Sequence, residues 1–67
     1  MKRNPTKTLF HQARFFQSQG QLEPAIHCYQ EIIRLDPDCV QAYNNLGNVF
    51  QAQAHWIQAI ECYQQVI

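Results

Sequence analysis

Apolar residues recur along this chain at steps of three and four, and they do so in four separate stretches. Leu22, Ala25, Ile26, Tyr29, Ile32 and Ile33 fall on one stripe of a helix, and Trp56, Ala59, Ile60, Tyr63, Val66 and Ile67 draw the same stripe again further on. A shorter stripe, Tyr43, Leu46, Gly47 and Phe50, precedes the second of these. Leu9, Ala13 and Phe16 precede the first, with the polar Gln12 where Leu46 stands later. The pattern predicts helices over about 6–19, 23–35, 40–53 and 56–67. Small residues at Ala13, Ala25, Gly47 and Ala59 suit helix crossings, where axes about 8–10 Å apart leave no room for two bulky side chains. Gly20 suits the left-handed residue that ends a helix, and Pro24 suits the first turn of the next, where a missing amide hydrogen costs nothing. Asp36 and Pro37 stop the second helix, because Pro37 cannot donate to it and pushes Asp36 out of the α region. Ala54 replaces the glycine in the second turn. A left-handed alanine costs roughly 1–2 kcal/mol, so that turn is expected to take a different geometry.

The stripes are one pattern repeated. Shifted by 34 residues, positions 6–33 align with 40–67, with identities at Phe16/Phe50, Gln17/Gln51, Gln19/Gln53, Ala25/Ala59, Ile26/Ile60, Cys28/Cys62, Tyr29/Tyr63, Gln30/Gln64 and Ile33/Ile67. That period, with Tyr43, Leu46, Gly47, Phe50, Ala59 and Tyr63 in one unit and Leu9, Ala13, Phe16, Ala25, Tyr29 and Pro37 in the other, resembles the tetratricopeptide repeat. Gln12 departs from the family's leucine. The resemblance implies an all-α solenoid of two helix-turn-helix hairpins with right-handed superhelical stacking. Residues 1–5 would form an N-terminal extension, 6–39 the first repeat and 40–67 a second, truncated repeat. The run from Ala42 to Phe50 is also similar to the repeats of O-linked N-acetylglucosamine transferases and of bacterial scaffold proteins, although His11 stands where their asparagine ladder would continue from Asn45.

Composition narrows the function classes. A chain of 67 residues, 46% of them hydrophobic, makes a core that is only marginally sufficient. Each hairpin buries its apolar face only against a neighbour. A piece of a longer array, or self-association through the uncapped last hairpin, is therefore expected. Five Lys and Arg balance five Asp and Glu, which gives no overall field to attract nucleic acid or a membrane surface. Lys2, Arg3, Lys7 and Arg14 make a basic start, yet His11, Gln12 and Arg14 interrupt the apolar run that a secretory signal would need. Cytoplasmic residence is expected. Cys28, Cys39 and Cys62 lack metal-ligand spacing, and repeat-equivalent cysteines would lie about 10 Å apart, too far to bridge. Reduced thiols, no cofactor and no metal are expected. Ser18 is the single serine and no glycine-rich phosphate loop exists, so catalysis within this chain is not expected.

A polar row remains. Lys7, His11 and Arg14 are spaced by four and three on the first helix, and Gln41, Asn45 and Asn48 hold the equivalent positions on the third. In tetratricopeptide proteins the first helix of each hairpin lines a groove for partner peptides, so the resemblance implies that this row meets a ligand. An asparagine amide both donates and accepts, which suits an extended peptide backbone. Lys7 and Arg14 favour a partner with an acidic segment. The match to the family's carboxylate clamp for chaperone tails is poor, since Phe10 and Arg14 stand where lysine and asparagine are required. The expected function is noncatalytic protein or peptide binding. The alternative is an accessory array that recruits substrates for a larger enzyme, such as a glycosyltransferase.

Overall fold

The computed structural model describes residues 4–66, which form four helices: α1 (Pro5–Ser18), α2 (Leu22–Leu35), α3 (Val40–Ala52) and α4 (Trp56–Gln64). No strand is present among the described residues. The expectations placed on Met1, Lys2, Arg3 and Ile67 lie outside them. α1 packs on α2 and α3 on α4 as two hairpins, and α2 packs on α3 to join them.

Local chemistry sets the helix ends. The Asn4 side chain accepts the Lys7 amide at 3.3 Å, and Pro5 occupies the first helical position, so the chain enters α1 through a residue pair suited to a helix start. α2 stops at Asp36, whose backbone is extended ahead of Pro37 and whose carboxylate accepts the Asp38 amide at 3.3 Å. α4 is shorter than the apolar stripe predicts. It ends at Gln64, and the Gln65 and Val66 amides close tighter turns onto the carbonyls of Cys62 and Tyr63.

The two hairpin turns have one geometry, contrary to the expectation for Ala54. The Gln21 amide donates to the Phe16 carbonyl at 2.9 Å and Gly20 to Gln17 at 3.1 Å; His55 donates to Phe50 at 2.8 Å and Ala54 to Gln51 at 3.0 Å. Both are Schellman motifs with a left-handed residue at the same place, Gly20 at φ 74° and Ala54 at φ 61°. The His55 ring stacks on Phe50, supplying the side-chain contact that accompanies this motif. The packing of α3 on α4 thus imposes on alanine a conformation that its own preference opposes.

A single core spans both hairpins. Ala13, Ala25, Ile26, Tyr29, Ile32, Ala42, Leu46, Val49 and Cys62 form one buried cluster, with Tyr29, Ile32 and Val49 its largest fully enclosed side chains. The small residues sit at close approaches: a Cβ on Gly47 would lie 2.8 Å from Cε1 of Tyr63. The tyrosines repeat their bonding along with their sequence. Tyr29 donates to Gln17 Oε1 at 2.8 Å and Tyr63 to Gln51 Oε1 at 2.9 Å. Across the repeat boundary, the Gln53 amide nitrogen donates to Glu23 at 3.1 Å. Two large aromatic residues lie outside the core. Phe15 is 59% exposed and Trp56 57% exposed, because no described element covers their flanks of α1 and α4.

Two stability predictions follow from this packing. Ala54→Gly relieves the left-handed strain and should raise the unfolding free energy by roughly 0.5–1 kcal/mol, while Gly20→Ala should lower it by about 1 kcal/mol. A Cβ on Gly20 meets nothing within 4 Å, so urea unfolding of that variant reports conformation alone. The same titration should separate repeat-equivalent isoleucines, 5% exposed at Ile26 and 55% at Ile60. Ile26→Ala should cost about 2–4 kcal/mol and Ile60→Ala less than about 1 kcal/mol.

Candidate functional site

The first helix of each hairpin presents one polar face, and the repeat sets the two faces in register. Steps of four and three place Lys7, His11 and Arg14 together on α1, and the 34-residue offset puts Gln41, Asn45 and Asn48 at the matching places on α3. Between the helices lies a groove of about 690 Å³, lined by Lys7, His11, Arg14, Gln41 and Asn45. Asn48 is not in that lining. Its carbonyl oxygen lies 2.5 Å from the Tyr63 hydroxyl and shares that one proton with Gln51 Oε1, which ties it to α4.

The groove also takes in residues that helical spacing does not single out. Phe10 lies between core and groove, its ring edge-on to Tyr29 at 6.0 Å, and so brings an aromatic ring to the lining. Asn44 follows from the 34-residue offset, as the counterpart of Phe10. Asn4, Thr6 and Cys39 come from the cap of α1 and the start of α3. The Asn4–Pro5 pair is a readable helix-start signal that would have brought the cap into the groove.

The charge in the groove is of one sign. Lys7 and Arg14 are exposed, and none of the lining residues is acidic. Among the described residues the single ion pair is Arg34 with Glu31, on α2. Lys7 and Arg14 therefore have no carboxylate partner there and offer their full charge to the groove. A smaller recess of about 330 Å³, bounded by Arg14, Gln17, Ser18, Tyr29 and Asn45, lies at the Arg14 and Asn45 side of the groove. The Tyr29 hydroxyl at the floor of this recess donates to Gln17. The arrangement provides cations for carboxylates, amides for peptide groups and one aromatic face.

Burial pushes the Tyr29 phenol above its usual range, against a smaller opposing pull from the Arg14 charge and from Asn45. Burial likewise raises the thiols of Cys28 and Cys62, with the Glu61 charge adding to the second. Both thiols stay protonated at neutral pH and are poor nucleophiles. No group of three or more His, Cys, Asp or Glu residues that could hold a metal ion occurs among the described residues. The folded chain thus holds these three protons more tightly than the unfolded chain does, so their contribution to stability is present at neutral pH and is lost as pH rises. Unfolding free energy should decline from about pH 8.5 and fall further above about pH 10. Tyr29→Phe should lower stability by about 1 kcal/mol at neutral pH and flatten the steeper alkaline part of the profile. Denaturant unfolding across pH checks both.

A comparison with curated proteins finds no match. A family model described as TPR repeat matches residues 15–53, from the end of α1 through the whole of α3, which is more than half of the chain. With two antiparallel helical hairpins in series, a period of 34 residues and identical turns at Gly20 and Ala54, the chain belongs to the tetratricopeptide repeat family.

Proposed function

We propose that this chain is a noncatalytic binding module that holds an extended, acidic peptide segment in the groove between α1 and α3. Repeats of this family are in general protein–protein interaction modules. The observation that carries the finer reading is the charge of the groove: Lys7 and Arg14 line it without a carboxylate partner among the described residues, and no acidic side chain lies beside them. In this reading Lys7 and Arg14 engage side-chain carboxylates, while Gln41 and Asn45 pair with backbone peptide groups. His11 and Phe10 contact the segment's side chains. Asn48 acts from the flank by holding Tyr63. The helices are ordered before binding, so most of the ordering entropy falls on the peptide. The module is assigned to the cytoplasm, where Cys28, Cys39 and Cys62 remain thiols.

The test is an array of peptides of graded Asp and Glu content, probed with the folded chain. Binding should rise with acidity and weaken with salt. The double variant Lys7→Glu/Arg14→Glu should lose roughly tenfold in affinity for the acidic members and reverse the salt dependence. Asn45→Ala should weaken binding of every bound peptide, and Asn48→Ala should have a smaller effect. Equal affinity of wild type and double variant for the acidic peptides would contradict the proposal.

A further inference from the structure

The two cations of the groove are set at a fixed interval. From Lys7 to Arg14 the helix makes almost two full turns, so they lie nearly in line, about 10.5 Å apart along the axis of α1. Phe10 and His11 fall midway between them on opposite sides of that line, and the edge-on contact with Tyr29 puts Phe10 on the side of the core. The facing wall on α3 offers the amides of Gln41, Asn44 and Asn45 and no charge. These features select among the backbones that an acidic partner could bring. In an α-helix the peptide groups are already paired, so the amides of α3 would find none to bond. On a β-strand the side chains of one face recur at about 6.6 Å and about 13 Å, and neither interval meets the cations. A polyproline II chain turns once in three residues and rises about 3.1 Å per residue, so side chains three positions apart share a face about 9.3 Å apart. That is within about 1 Å of the cation interval, a gap that the flexible Lys7 stem closes. Its peptide groups make no internal hydrogen bonds, which leaves them free for the amide wall.

We propose that the groove selects one motif, two acidic residues three positions apart with a proline between them, bound as a single turn of polyproline II. The proposal rests on the reading of the groove as a site for an acidic segment and adds its spacing and backbone form. One carboxylate meets Lys7 and the other meets Arg14. The proline ring lies against Phe10, since an aromatic surface suits the flat apolar ring of proline. Proline also fixes φ before binding, which lowers the ordering cost that the peptide bears. Gln41, Asn44 and Asn45 bond the peptide groups, and His11 meets the remaining side chain at the rim.

The test titrates the full chain, labelled with nitrogen-15, with capped peptides of a single composition: two glutamates, one proline and alanines. Only the order changes, so that the glutamates stand one to five positions apart at constant net charge. The peptide with glutamates three apart and proline between them should bind severalfold tighter than any other, and should shift amide signals of α1 and α3. Replacing its proline with alanine should cost several-fold in affinity for the wild type and little for Phe10→Leu. Lys7→Gln should erase the preference for spacing, because Arg14 alone holds one glutamate wherever the other stands. Equal, salt-sensitive binding at every spacing overturns the motif while leaving the acidic-segment reading in place. Absence of binding by all of these peptides overturns both. A helical peptide with glutamates seven positions apart that binds as tightly as the favoured one also overturns the motif, since the occupant would then be a helix.

Discussion

Everything in this molecule depends on burying the apolar flank of α2 beneath α3. A hairpin of two short helices encloses only the residues between them, and Ile60 on α4 shows what happens to the other flank when nothing lies on it. Where α3 packs on α2, Ile26, Tyr29, Ala42, Leu46 and Val49 leave water together and the two hairpins share one core. Hydrophobic burial is non-directional, so on its own it would not choose an orientation. Orientation comes from the turns and the small residues. Identical Schellman motifs at Gly20 and Ala54 set the two hairpins alike, and Gly47 lets α3 close onto Tyr63. The Gln53–Glu23 hydrogen bond adds a polar fastening across the boundary.

The groove is a consequence of the same interface. Lys7, His11 and Arg14 on one helix and Gln41 and Asn45 on another share a cavity only because α2 and α3 hold the hairpins side by side. Part of the inward face is kept between the repeats, as at Ala25 and Ala59, while the outward row of α1 and α3 has diverged. Tyr29 and Tyr63 keep both identity and partner, each bonded to a glutamine of the preceding helix. The polar row changes from cationic on α1 to amide on α3.

Periodicity made the helices and the hairpins legible in the chain itself, because those features depend on which face a residue occupies. Features set by distant neighbours were not legible. Nothing local distinguishes Trp56 from Leu22, or Phe15 from Val49; their exposure differs because, among the described residues, one flank has a helix against it and the other has none. Ala54 is the opposite case, since its local preference is clear and tertiary packing overrides it. Asn48 belongs to the row by spacing, but the Tyr63 hydroxyl claims its carbonyl. No spacing rule anticipates that competition between two helices. The Asn4–Pro5 helix start is different, because its signal was present in the residues themselves.

Native-state amide hydrogen exchange, followed residue by residue through low urea, tests the shared core most directly. If α2 and α3 are two sides of one core, their slowest amides must open together, with a single free energy and a single urea dependence. Fraying confined to the start of α1 and the end of α4 is compatible with that result. Two separate isotherms, one for α1 with α2 and another for α3 with α4, would mean that the hairpins unfold independently and that the interface joining them does not hold the structure together.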